Sequence, residues 1–272
     1  MLRGAGGVGL HTIESGPRSA QPILFVHGFA QSVYAWRKQF GSELARDFRL
    51  VAYDLRGHGE SEKPEDPAAY HDSEAWAGDL AAIVESLELE RPVVVAWSYA
   101  GLVVADYLRF FGEERLGAVD LVAAVTVKGG EKSRGFSGGE FAGLFPALFE
   151  SDPAVAIPAL ERFAVLCSAS PMSEAECAEY VRESSRTPPA VREAMQRRRL
   201  DNDDVLATLT LPVLITHGTG DAIVLPLSSE HNARAIPNAR LSLYPGIGHT
   251  PFVEDPERFE RELRELATLV RS

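Results

Sequence analysis

The sequence predicts an α/β protein with a mostly parallel central sheet flanked by helices. Two patterns carry that prediction. Short β-prone apolar runs alternate with amphipathic stretches of helical length, the rhythm of βαβ units. The Leu121–Val127 run is nearly continuous in apolar residues, as a strand covered on both faces must be. A chain of 272 residues, 45% hydrophobic and 24% charged, is long enough to bury a sizeable core.

The elements follow in order. Ile23–Val26 is the first strong apolar run, and it ends in His27-Gly28-Phe29. A helix is expected from about Val33 to Ala45, then a strand over Leu50–Tyr53 closed by the turn-rich D-L-R-G-H-G-E-S of Asp54–Ser61. Ser73 stands three residues before the helical series Trp76, Leu80, Ile83, Val84 and Leu87, where it suits an N-cap. Pro92–Ala96 is the next strand, Gly101–Phe111 the next helix and Leu121–Val127 another strand. The pattern resumes with a strand at Leu211–Thr216, a helix near Pro226–Ala235 and a strand at Arg240–Tyr244. A last helix runs from Pro256, whose missing N–H costs nothing in a first turn, to about Val270.

Between 128 and 208 the rhythm breaks. No convincing strand occurs there, but S-E-A-E at Ser173–Glu176 has a capping-box pattern, and Thr187-Pro188 opens a helix through Arg199. Residues 1–127 and 209–272 therefore read as one core domain, with 128–208 as a helical insertion between two of its strands.

A net charge of −12 argues against nucleic acid as a partner, since a phosphate backbone needs Lys and Arg to replace its counterions. Cys167 and Cys177 read as two buried thiols, with no Cys/His pattern of zinc spacing beside them, so no metal is expected. The N-terminal M-L-R-G-A-G-G-V-G-L lacks a long apolar stretch, so no signal peptide is expected. No apolar run approaches the ~20 residues that span a bilayer, and a cytoplasmic, membrane-free location is the expectation.

The chemistry centres on A-W-S-Y-A-G at 96–101. A serine hydroxyl becomes a nucleophile only when a base takes its proton, and it must project from a tight strand–turn–helix elbow. Backbone segments crowd that elbow, so the residues two before and two after the serine must be small. Ala96 and Ala100 meet the requirement, with Gly101 beyond them, and Ser98 is the candidate nucleophile. Of seven histidines, His249 alone sits late, in the turn-rich P-G-I-G-H-T-P-F after a strand. Asp221, in H-G-T-G-D after the Leu211–Thr216 strand, would fix the tautomer of His249. His217 and His58 read as turn or packing residues, and His27 as one that orients its own loop. His11, His71 and His231 have no convergent partner in the sequence.

In this order, Ser98, Asp221 and His249 resemble the triad of α/β-hydrolase-fold serine hydrolases. Four blocks carry the likeness: H-G-F at 27–29, D-L-R-G-H-G-E-S at 54–61, A-W-S-Y-A-G, and the pair H-G-T-G-D and G-I-G-H-T-P-F. They span roughly residues 20–127 and 205–272, and the sequence is most similar to small arylesterases and cofactor-free haloperoxidases or perhydrolases. The resemblance implies an oxyanion hole from the N–H groups of Phe29 and Tyr99, no cofactor, and a cap formed by 128–208. Serine at 98, where an aspartate would mark a dehalogenase or epoxide hydrolase, argues against both.

The stripe Phe141, Phe145 and Phe149 would pack the insertion on the core, with Phe141 and Phe145, together with Trp97, assigned to the substrate pocket. Pro146 interrupts that stripe. No Arg or Lys converges on the motifs, and Arg197–Arg199 reads as a solvated helix face, so a small uncharged or apolar ester is the expected substrate. The expected activity is ester hydrolysis through an acyl-enzyme. The alternatives are perhydrolysis, lactone or C–C bond hydrolysis by the same triad, or a ligand sensor on this scaffold. The one macromolecular partner kept open is a second copy in a homodimer.

Overall fold

The computed structural model describes residues 1–270. Seven strands form the main sheet: β1 (Thr12–Ser15), β2 (Pro22–Val26), β3 (Arg49–Tyr53), β4 (Val93–Trp97), β5 (Ala118–Val122), β6 (Val213–Gly218) and β7 (Arg240–Tyr244). Their spatial order is β7-β6-β5-β4-β2-β3-β1. Every pairing is parallel except that of β1 with β3. Side chains alternate between two apolar layers, as a period of two requires. Ile23 and Phe25 join Trp36 and Leu44 in one layer; Leu24 and Val26 join Leu80 and Ile83 in the other.

Eight longer helices surround the sheet: α1 (Ser73–Ser86), α2 (Ala100–Phe111), α3 (Gly139–Leu148), α4 (Pro153–Leu166), α5 (Glu174–Ser185), α6 (Pro189–Arg197), α7 (Leu227–Ala235) and α8 (Pro256–Thr268). Leu80 and Ile83 of α1 and Leu102 and Val103 of α2 pack into one layer, and Phe259 and Leu263 of α8 into the other. Among the described residues, no helix is long and apolar enough to cross a membrane.

Several local expectations are corrected. The helix expected from Val33 is broken into a 3-10 turn at Val33–Trp36 and short helices at Arg37–Phe40 and Leu44–Asp47. The Ser42 hydroxyl accepts from Leu44 N–H and restarts the chain between the last two. Asp72, not Ser73, caps α1, accepting from Glu74 N–H at 2.9 Å. The Ser173–Glu176 capping box forms at the start of α5, and α3 runs through Pro146 without a break. Both cysteines are free, but only Cys167 is buried.

The chain from 128 to 208 adds no strand to the main sheet and carries α3 to α6. A two-residue ribbon, Val127–Lys128 against Leu200–Asp201, ties its two ends together. Over the core, Ser32 Oγ donates to Glu183 at 2.7 Å and Gln31 Nε2 to Ser184 Oγ at 2.9 Å. The strongest tie overturns the solvated reading of Arg198. Helix α6 ends at Arg197, and Arg198 turns to extended backbone (ψ 137°), so its side chain leaves the helix face and enters the protein. There it forms a 2.5 Å ion pair with Asp106 of α2, both side chains 1% exposed, and donates to Ser73 Oγ and Tyr99 Oη.

Removing one partner of such a pair strands the other charge in the interior, at a typical cost of ~3–5 kcal/mol. Arg198→Met should lower unfolding free energy by about that much in urea titrations, and the double variant Arg198→Met/Asp106→Leu should recover most of it. Equal losses in the single and double variants would contradict the pairing.

Candidate active site

Strand β4 ends at Trp97, and the chain turns at once into α2. Ser98 is the turn residue. Its φ is +57°, the left-handed region that costs a non-glycine residue ~1–3 kcal/mol. Three main-chain hydrogen bonds hold it there. Ser98 N–H donates to Val122 O at 2.9 Å, and Ser98 O accepts from Gly101 at 3.1 Å and Val125 at 2.9 Å. A Cβ on Gly101 would come within 2.5 Å of Val125 O, and one on Gly28 within 3.0 Å of Ser98 Cβ. Ala96 and Ala100 fit with no exposed surface, so the crowding excludes a side chain at 101, is tight at 28, and tolerates a methyl at 96 and 100.

Asp221 lies just beyond the C-terminal end of β6 and His249 beyond that of β7, at the same sheet edge as Ser98. His249 Nδ1 stands 2.6 Å from Asp221 Oδ2. A carboxylate can only accept, so Nδ1 carries the proton and Nε2 is left with a free lone pair. Asp221 Oδ1 accepts from the N–H groups of Ile223 and Val224 at 2.8 and 3.0 Å. Burial alone would raise the Asp221 carboxyl. Attraction to His249 and hydrogen bonds from His217 and His249 outweigh it and hold the group at about 2.

His217 is the neighbour that sequence reasoning left as a turn residue. It is fully buried on β6, with Nε2 2.8 Å from Val224 O and 3.2 Å from Asp221 Oδ2, and Nδ1 2.5 Å from Ser229 Oγ. Nε2 faces two oxygens that only accept, so it donates, and the Ser229 hydroxyl donates to Nδ1. The acid of the pair thus has two imidazoles on one oxygen. The spacing of four residues in H-G-T-G-D is the signal that could have marked it.

The His249 loop is pinned from two sides. His249 N–H donates to Cys167 O at 3.0 Å, and His249 O accepts from Trp97 Nε1 at 2.9 Å. No hydrogen bond joins Ser98 Oγ to His249 Nε2; contacts of this kind commonly tighten only around substrate. Four other histidines, His11, His27, His58 and His231, are engaged elsewhere. His27 and His58 pack with ring centroids 5.2 Å apart, tilted by 55°, and burial lowers His58 to about 3. His11 and His231 do have partners, Asp54 and Asp203, each at 2.8 Å, which corrects the reading from sequence.

A cavity of about 210 Å³ is lined by Ser98, Phe29, Tyr99, Phe141 and Phe145, with Val125, Val127, Ile223 and Val224 among the other walls. Among the described residues, the N–H groups of Phe29 and Tyr99 have no acceptor. The phenylalanine stripe both packs and lines: Phe141 stacks on Phe163 at 5.2 Å, and Phe145 meets Phe29 edge-on at 6.5 Å. Trp97 is the correction. As the last residue of β4 it points to the opposite sheet face from Ala96, against Trp36 and Phe252, and lines a different cavity of about 240 Å³.

The Asp221 carboxyl in the fold lies below its ordinary 3.8. Its ionised form therefore stabilises the protein above about pH 4, and that contribution fades as pH falls toward 2. The stability gap between wild type and Asp221→Asn, read by urea denaturation, should narrow between pH 5 and pH 2. A gap that stays constant over that range would contradict this electrostatic environment.

The comparisons with known proteins agree with this architecture. An esterase from Rhodococcus sp. superposes with a TM-score of 0.94 at 35% identity, covering 99% of this chain and 98% of that one. A bifunctional esterase/perhydrolase of Acinetobacter calcoaceticus is 29% identical over 265 residues, 94% of this chain and 95% of its own. A non-heme chloroperoxidase of Streptomyces lividans is 28% identical over 256 residues, 91% and 92% of the two chains. The α/β hydrolase fold family profile matches residues 21–256, and the chain belongs to that family.

Proposed function

We propose that this protein is a serine carboxylic-ester hydrolase acting on small esters through Ser98, His249 and Asp221. The observation that carries the reading is Ser98 in left-handed backbone at the end of β4, on the wall of a cavity it shares with Phe29 and Tyr99. The esterase names of the relatives support it.

In this mechanism His249 Nε2 takes the Ser98 proton as Oγ attacks the ester carbonyl, and later hands it to the departing alcohol. Asp221 holds the imidazole in the required tautomer and stabilises its cationic form. The developing oxyanion takes up the free N–H groups of Phe29 and Tyr99, donors typically worth ~3 kcal/mol each. Water, activated by the same His249, then releases the acid and restores Ser98. No step calls for a metal or organic cofactor.

The apolar part of the substrate would lie against Phe141 and Phe145, with the helices between 128 and 208 acting as a cap. The expectation of an apolar ester suits that side of the cavity. A second reading is favoured by the esterase/perhydrolase relative. There, hydrogen peroxide replaces water as the acceptor, its oxygen bonds to the acyl carbon, Ser98 Oγ leaves, and a peracid is released.

Short-chain nitrophenyl esters should be turned over by wild type, and Ser98→Ala should lose at least ~10³-fold of that rate with its unfolding curve unchanged. Equal rates in the two folded proteins would sink the proposal. Running the assay with peroxide and with water as acceptors separates the two readings.

A further inference from the structure

The cavity beside Ser98 is not apolar throughout. Its lining also holds Lys128, Ser133, Ser137 and Gln196, and Lys128 is the one charged residue among the described lining residues. Lys128 belongs to the ribbon that closes the helical segment. Its ammonium donates to Gln196 O and, at 3.4 Å, to Arg198 O, the carbonyls where α6 ends. Those bonds fix the position of the charge, but an ammonium has three N–H donors and only two are spent.

Among the described residues, no carboxylate pairs with it. The charged groups acting on Lys128 are Arg198 and Arg199, both of its own sign. Arg198 is paired with Asp106, and Asp201 across the ribbon is paired with Lys132. Burial, followed by the repulsion of Arg198 and Arg199, lowers Lys128 to about 8. A largely buried cation without a counter-ion costs stability, and in a chain of net charge −12 it concentrates positive potential at one wall of one cavity.

We propose that Lys128 receives a carboxylate carried by the substrate, so that the preferred esters are half-esters of short dicarboxylic acids. The ester carbonyl lies at Ser98, the methylene chain against Phe141 and Phe145, and the free carboxylate on the third N–H of Lys128. This rests on the hydrolase reading for the identity of the reacting group, and it differs from the expectation of an uncharged substrate.

The test uses Ser98→Ala protein, so that binding is measured without turnover. Calorimetric titrations compare the monomethyl and dimethyl esters of succinate, glutarate and adipate. At pH 6.5 at least one half-ester should bind tenfold or more tightly than its diester. That preference should fall to within about twofold in Ser98→Ala/Lys128→Gln, whose amide can still donate to the α6 carbonyls, and persist in Ser98→Ala/Lys128→Arg. It should also fade in Ser98→Ala at pH 9.5, where the lysine has lost its proton while the carboxylate stays charged. Equal binding of half-ester and diester, or a preference that Lys128→Gln leaves intact, would overturn the proposal. Half-ester binding that depends on Lys128, with wild type leaving the bound ester uncleaved, would instead reject the hydrolase reading alone.

Discussion

The left-handed backbone at Ser98 is the constraint on which the rest of the site depends. It is unfavourable for a serine, and it persists because the surroundings over-determine it: β5 accepts its N–H, and Gly101 and Val125 donate to its carbonyl. Steric crowding does the rest. Gly101 leaves no room for a side chain and Gly28 packs closely on Ser98 Cβ, so the backbone on both sides of the elbow is tightly held. One consequence is that Tyr99, the residue after the serine, caps α2 beside the Ser98 cavity, its N–H unpaired among the described residues. The strain and the free donor come from the same turn.

A second layer of organisation surrounds Asp221. A buried carboxylate stays ionised only if donors replace the water it has lost. Two main-chain N–H groups take one oxygen, and the imidazoles of His249 and His217 take the other. The His249 loop is tied in turn to Cys167 at the end of α4 and to Trp97 at the end of β4. The helical segment thus touches the site directly: Cys167 O holds His249, while the Arg198–Asp106 pair lies beneath Tyr99. A shift of that segment would reach both ends of the reacting geometry.

Much of this arrangement was legible in the sequence, and the part that was not has a physical reason. Ser98, Asp221 and His249 each follow a strand and sit in a turn, so local pattern alone carries them to one sheet edge. Trp97 lines a different cavity from Ser98 because successive residues of a strand point to opposite faces. Arg198 and Lys128 were missed for another reason. Their contacts join segments 92 and 68 residues apart, and an R-R-R run looks solvated until the helix is seen to stop two residues short of Arg199. The helical segment has little periodicity that reports on function, because its side chains serve packing and cavity lining at once.

The proposed nucleophilic character of Ser98 depends on its setting. An organophosphate ester such as paraoxon tests it most directly, since it phosphorylates a serine only where a base and an oxyanion site converge. Intact-mass measurement and peptide mapping after stoichiometric treatment should find a single diethylphosphoryl group, on Ser98, and none on the His249→Ala protein. A folded wild type that stays unmodified, or one labelled at a different residue, would contradict the account.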